Sequence, residues 1–157
     1  MSDLKVAILT CSDTRGEAED TAGRALSALI AERGWALLAY QVCRDERLVI
    51  ESALVEMADA GADIVLTCGG TGLSPRDVTP EATLAVCERP APGIAEHIRA
   101  ESLKLTGRAM LSRATAAARG TTLVINLPGS EKAARECFGF VADQFEHAVK
   151  MMSGGGH

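Results

Sequence analysis

The chain has 157 residues, 47% hydrophobic and 24% charged, the balance of one globular domain with a full core and cramped for two. A formal net charge of -5 argues against a broad electrostatic surface for DNA or RNA, so no nucleic-acid partner is expected and any anionic ligand must be met locally. The aromatic residues are only Trp35, Tyr40, Phe138, Phe140 and Phe145, too few to stack single-stranded nucleic acid, and the core must be aliphatic.

The opening apolar stretch is far short of the roughly 20 residues that span a bilayer, and no cleavage pattern follows it, so the reading is a cytoplasmic protein with no membrane partner. Leu4 to Cys11 is an almost unbroken apolar run ending at the polar string SDTRGE, the pattern of a strand buried on both faces and then a loop. Asp20 or Thr21 caps the next segment, where Ala22, Leu26, Leu29, Ile30 and Arg33 share a helical face that Gly34 ends. Trp35 to Cys43 reads as a second strand. Asp45 then precedes a helical stripe of Ile50, Ala53, Leu54, Met57 and Ala58, stopped by Gly61. Asp63 to Cys68 is a third buried strand, running into a glycine-rich loop that ends at Thr79, with Pro80 as the first helical residue. The segment ERPAPG (88–93) breaks that helix and another fits Ile94 to Leu105. Thr115 to Gly120 fits either an antiparallel edge or a short helix. Leu123 to Leu127 is a fourth strand, and a last helix after Ser130 aligns Phe138, Val141, Phe145, Val149 and Met152. One domain over 1–152 and a C-terminal tail over 153–157 (SGGGH) follow from this map.

Strands that alternate with helices in this way make a three-layer α/β/α sandwich with a mostly parallel sheet the economical fold. Ligands in such folds sit beyond the carboxyl ends of the strands. The polar and glycine-rich clusters fall there: Ser12-Asp13, Arg44-Asp45, Gly69 to Asp77, and Pro128 to Lys132.

Gly69, Gly70, Thr71 and Gly72 follow a strand directly, so the backbone can approach a ligand and turn amide hydrogens toward a phosphate; the bland alternative is a tight turn. No GK[ST] follows for a nucleotide P-loop, and Pro75 occupies the third-glycine position of a dinucleotide fingerprint. Because Thr79 and Pro80 supply the cap and first helical residue, Asp77 has no capping task, and a carboxylate beside phosphate-binding glycines suggests Mg²⁺. The competing role for Asp77 is a salt bridge to Arg76 or another cation. Asp45 stands where a helix N-cap stands, and Asp13 is similar. Ser130 opens a helix, so its hydroxyl and the free amides there suit a phosphate with Lys132 as counter-charge, or simply a cap. Ser112 and Arg113 offer a hydroxyl and a guanidinium for an anionic or pterin-like ligand, with a plain surface arginine as the commoner alternative. His97 and His147 lack ligand spacing. The five cysteines are scattered without a CxxC pair, which argues against a disulfide framework or a structural zinc site; four lie in apolar runs as buried thiols.

Together, AILTCSDTRGEAEDTAG (7–23), TCGGTGLSPRDVTPEAT (67–83) and ESLKLTGRAMLSRATAAARGTTLVINLPGSEKA (101–133) resemble the molybdopterin adenylyltransferase family, whose domain recurs in plant molybdenum-cofactor proteins and in gephyrin. The resemblance covers essentially the whole chain. The short length and RGEAEDTAG resemble a bacterial subgroup, and RDVTPEA is intact here. The resemblance implies transfer of AMP from Mg-ATP to the terminal phosphate of molybdopterin, with release of pyrophosphate. It further implies a homotrimer or hexamer, and delivery of the product to a separate molybdenum insertase. Asp77 and Asp45 match the two catalytic acidic positions. The GGTG loop and Pro128-Gly129-Ser130 would hold phosphate or pterin groups, with Ser12 and Asp13 lining the cleft. The alternative is a non-catalytic molybdopterin-binding or scaffold protein of the same pathway.

Overall fold

The fold is described over residues 3–155 of a computed structural model. In chain order the elements are β1 (Lys5–Cys11), α1 (Thr21–Glu32), β2 (Ala36–Cys43), α2 (Arg47–Asp59), β3 (Ile64–Cys68) and α3 (Thr79–Val86). There follow β4 (Arg89–Pro90), α4 (Pro92–Leu103), β5 (Ala116–Arg119), β6 (Thr122–Leu127), α5 (Glu131–Val141) and α6 (Phe145–Met152). The strands form one sheet in the order β2-β1-β3-β6-β5-β4. β2, β1, β3 and β6 run parallel, and β5 and β4 complete one edge antiparallel.

The apolar runs of the central strands β1, β3 and β6 are buried at nearly every position because helices cover both faces of the sheet there. Val6, Ile8, Ile64 and Leu66 enter one core beneath α1, α4, α5 and α6. Ala7, Leu9 and Val65, their neighbours along the strands, enter the other beneath α2 and α3. Asp20 caps α1 by accepting the Gly23 amide at 3.0 Å. Fully buried, it also accepts from Thr10 Oγ1 at 2.6 Å and from the Tyr40 hydroxyl, which ties α1 to β1 and β2.

Three boundaries differ from the sequence reading. The open segment 115–120 is the antiparallel strand β5, joined to β6 by the two-residue turn Gly120-Thr121. The break at 88–93 holds the short strand β4 as well as the start of α4, so that helix begins at Pro92 rather than Ile94. The single last helix is two, separated by a 3₁₀ turn at Ala142–Gln144. The apolar stripe survives that break: Phe138 and Phe145 lie 5.9 Å apart in an edge-on contact, and Trp35 packs against both. Of the expected tail, Ser153 to Gly155 bond back to the end of α6, whereas Gly156 and His157 lie outside the described residues. Among the described residues no helix is long and apolar enough to cross a membrane.

Candidate active site

The carboxyl ends of β1, β2, β3 and β6 release four loops into one place. They are held in register by short backbone bonds, Ser12 N–H to Cys43 O at 2.9 Å and Gly69 N–H to Leu127 O at 3.0 Å. Gly69 and Gly70 leave β3 with φ of +94° and +68°, the left-handed region that favours glycine. Space also forbids a side chain at either position. A Cβ on Gly69 would lie 2.6 Å from Cys11 O, and one on Gly70 would overlap Thr79 Oγ1 and come within 3.2 Å of Asp45 Oδ1. The glycine pair therefore lets β3 turn directly over β1 and brings Thr79 and Asp45 to one spot.

Asp13 and Asp45 bind each other reciprocally. The Asp13 amide donates to Asp45 Oδ2 at 3.1 Å, and the Asp45 amide donates to Asp13 Oδ1 at 3.0 Å. Arg76 closes on Asp13 with both arms of its guanidinium, at 2.9 and 3.0 Å, and this fork, aided by the Asp45 amide, holds the Asp13 carboxyl below the usual range. The remaining oxygen, Asp45 Oδ1, is buried and without a hydrogen-bond partner, as is Thr79 Oγ1. Burial, then the charges of Asp13 and Asp77, push the Asp45 carboxyl above its ordinary range.

These contacts correct two alternatives from the sequence. Asp45 does not cap α2, whose N-cap is Glu46 with no side-chain bond. Arg76 is the partner of Asp13, not of Asp77. The N-cap of α3 is Val78, with non-helical backbone angles and no side-chain bond, and Thr79 is the first helical residue, its amide donating to Gly70 O at 3.2 Å. Asp77 is not free of structural work: its Oδ2 accepts the Ser74 amide at 3.1 Å and closes the turn between them.

Two cavities flank the glycine loop. A polar cleft of about 290 Å³ is lined by Ser12, Asp13, Asp45, Gly69, Gly70, Asp77 and Gly129 among others. A mostly apolar cavity of about 350 Å³ begins on the other side of the loop at Thr71 and Gly72 and includes Ser112, Pro128 and Ser130. Arg113 and Lys132 line neither. Arg113 instead ties down the loop that separates them. Its amide donates to Thr71 O at 2.8 Å, Nε to Gly72 O at 2.8 Å, Nη2 to Asp77 O at 2.7 Å and Nη1 to Glu81 at 2.6 Å. Lys132 is exposed on the first turn of α5, where the Ser130 hydroxyl caps the helix through Ala133 at 3.3 Å. The Ser12 hydroxyl accepts the amides of Thr14 and Arg15 and shapes the loop after β1.

Sequence reasoning missed Arg15, the one cation lining the polar cleft among the described residues, anchored to Gly129 O at 2.8 Å. Its position in the polar string after β1 was the available signal. Thr79 was read only as a cap, and Asn126, buried at the end of β6, went unnoticed. Its amide bonds Thr67 and Thr83 at 3.0 Å each, fixing α3 to the sheet below the loop.

The pattern of a known family, described as "Probable molybdopterin binding domain", matches residues 7–147. A molybdopterin adenylyltransferase of Helicobacter pylori (strain J99) is 39% identical over 98% of this chain and 90% of its own length. The molybdopterin adenylyltransferase of Escherichia coli K12 is 45% identical over 63% of this chain and 51% of its own. Among solved structures, the molybdopterin biosynthesis enzyme MoaB of Thermus thermophilus superposes with a TM-score of 0.88 at 44% identity, over 96% of this chain and 97% of that one. The fold, the loops at the strand ends and these likenesses agree: the chain belongs to the molybdopterin-binding domain family of molybdenum-cofactor biosynthesis.

Proposed function

We propose that this protein is a molybdopterin adenylyltransferase that transfers AMP from Mg-ATP to molybdopterin. The observation that carries the reading is the buried, unpartnered Asp45 Oδ1, set in a cleft with Asp77 and Asp13 beside a loop of open backbone. The names of the relatives supply the substrate and the transferred group.

The donor set fits Mg²⁺, a hard cation that prefers oxygen. Asp45 Oδ1 and Thr79 Oγ1 are buried oxygens without partners, and Asp77 shares the cleft. Mg²⁺ is commonly held by one or two carboxylates together with substrate phosphates. Asp45 and Asp77 would hold it, where it would neutralise phosphate charge. The chain's own residues do the rest. Arg15 and the amides of Gly70 to Gly72 bind phosphate oxygens, and the Arg113 clamp keeps the loop in its binding shape. The apolar cavity, with Ser112 and Ser130 at its edge, takes the pterin. A phosphate oxygen of molybdopterin then attacks the α-phosphorus in line, the bond to the β-phosphate breaks, and pyrophosphate leaves.

The same reading includes a cytoplasmic homotrimer or hexamer that passes adenylylated product to a separate insertase. A sheet edge supports assembly: among the described residues β2 has no neighbour beyond it, and it exposes Leu37 and Leu38. The test incubates the protein with molybdopterin and Mg-ATP and measures pyrophosphate. Release that requires both substrates is expected. Binding of molybdopterin without release would replace the enzyme by a binding or scaffold protein.

A further inference from the structure

Cys11 and Cys43 are the last residues of β1 and β2 and are register partners across the parallel pair. Both side chains enter the same core, on the α2 face of the sheet. Parallel strands lie about 4.8 Å apart, within the Cα separation that a disulfide accepts. No other thiol is so matched. Cys68 faces the opposite core and is paired in register with Thr10 and Leu127, while Cys137 contacts Ser102. Cys87 lies beyond the end of α3. Both partners are reduced and little exposed, 4% for Cys11 and 8% for Cys43, yet Cys11 lines the polar cleft, which gives a small oxidant a route in.

We propose that Cys11 and Cys43 form an oxidation site: a dithiol that hydrogen peroxide closes to a disulfide beneath the cleft. One sulfur attacks the peroxide, an S–O bond forms, the O–O bond breaks and water leaves with the thiol proton, giving a sulfenic acid. The second sulfur then displaces that oxygen as a second water. The two thiols lose two electrons and the peroxide gains them. A disulfide holds the Cβ atoms at about 3.8 Å and fixes the ends of β1 and β2 to each other. The crosslink bears on the residues that follow at once, since Ser12 N–H binds Cys43 O and Asp13 and Asp45 bind each other's amides two residues past the thiols. The bridge rigidifies the two strand ends that carry that reciprocal pairing. The chemistry stands without the functional reading.

The test treats the reduced, full-length protein with peroxide, alkylates it under denaturing conditions and maps the peptides by mass spectrometry. A link between the Cys11 and Cys43 peptides, two hydrogens lighter and reversed by dithiothreitol, is expected, with Cys68, Cys87 and Cys137 still alkylated. In Cys43→Ser no link forms. Hydrogen exchange at residues 12–16 and 44–46 slows at least severalfold in the oxidised protein and recovers on reduction. Both thiols still alkylated, or each over-oxidised without a link, would overturn the site. A link with unchanged exchange would overturn the rigidifying of the strand ends. Neither readout needs adenylyl transfer, so a failed pyrophosphate assay and a failed oxidation site are separate results.

Discussion

Asp45 is held in a condition that burial does not favour. Its Oδ1 is buried without a partner, and burial together with Asp13 and Asp77 raises its carboxyl above the ordinary range. A carboxylate whose folded value lies above the unfolded one destabilises at neutral pH, and the cost is relieved as pH falls through the raised value. Asp45→Asn retains an oxygen for the Asp13 amide and removes the charge, so stability at pH 7 stays level or rises by up to about 1 kcal/mol. Urea unfolding at neutral pH and at successively lower pH checks this, because the difference from the parent shrinks as falling pH protonates the parent's raised carboxyl. Affinity for Mg-ATP runs the other way. A proton competes with the cation, so binding by the parent weakens as pH falls, beginning above the range of an exposed aspartate. A destabilised Asp45→Asn that still binds Mg-ATP normally would contradict both halves.

The glycine loop, an element of its own between β3 and α3, is held by one residue from the far side of the chain. Arg113 reaches its start at Thr71 and Gly72, its end at Asp77, and the first turn of α3 at Glu81. Arg113→Gln removes most of the fork, and we expect a loss of about 1–3 kcal/mol with faster hydrogen exchange over residues 70–78. KM should rise more than kcat falls. Arg113→Lys should not rescue it, since an ammonium cannot serve three acceptors in a fixed fork. Unchanged exchange over the loop would remove the clamp from the account. From the sequence, Arg113 looked like a ligand-binding cation, because a one-dimensional reading cannot tell a guanidinium spent on carbonyls 36 to 41 residues away from a free one. The same limit hid the reciprocal Asp13 and Asp45 bonds, which span 32 residues. Local signals fared better. The buried runs of β1 and β3, the Asp20 cap and the gathering of Ser12, Asp45, Gly69 and Asp77 at strand ends were all legible, since periodicity and topology fix them. The 3₁₀ turn at Ala142–Gln144 was not, because no Gly or Pro marks it.

At the scale of the molecule, the four parallel strands aim their carboxyl ends and loops at the cleft, and the segment leading into the antiparallel strand β5 carries the arginine that clamps the glycine loop. The unpaired edge at β2, with Leu37 and Leu38 at 40% and 36% exposure, is the kind of surface that assembly covers. Light scattering at micromolar concentration should give a mass three or six times the 16.4 kDa of one chain; a monomer would contradict this. Asp77→Asn tests most directly whether the cleft carboxylates serve the proposed adenylyl transfer. The variant can keep the bond from the Ser74 amide, so its thermal stability should stay within about 1 kcal/mol of the parent. Pyrophosphate release with molybdopterin and saturating Mg-ATP should nevertheless fall by about 100-fold or more. Release at the parental rate by a folded Asp77→Asn protein would contradict the account.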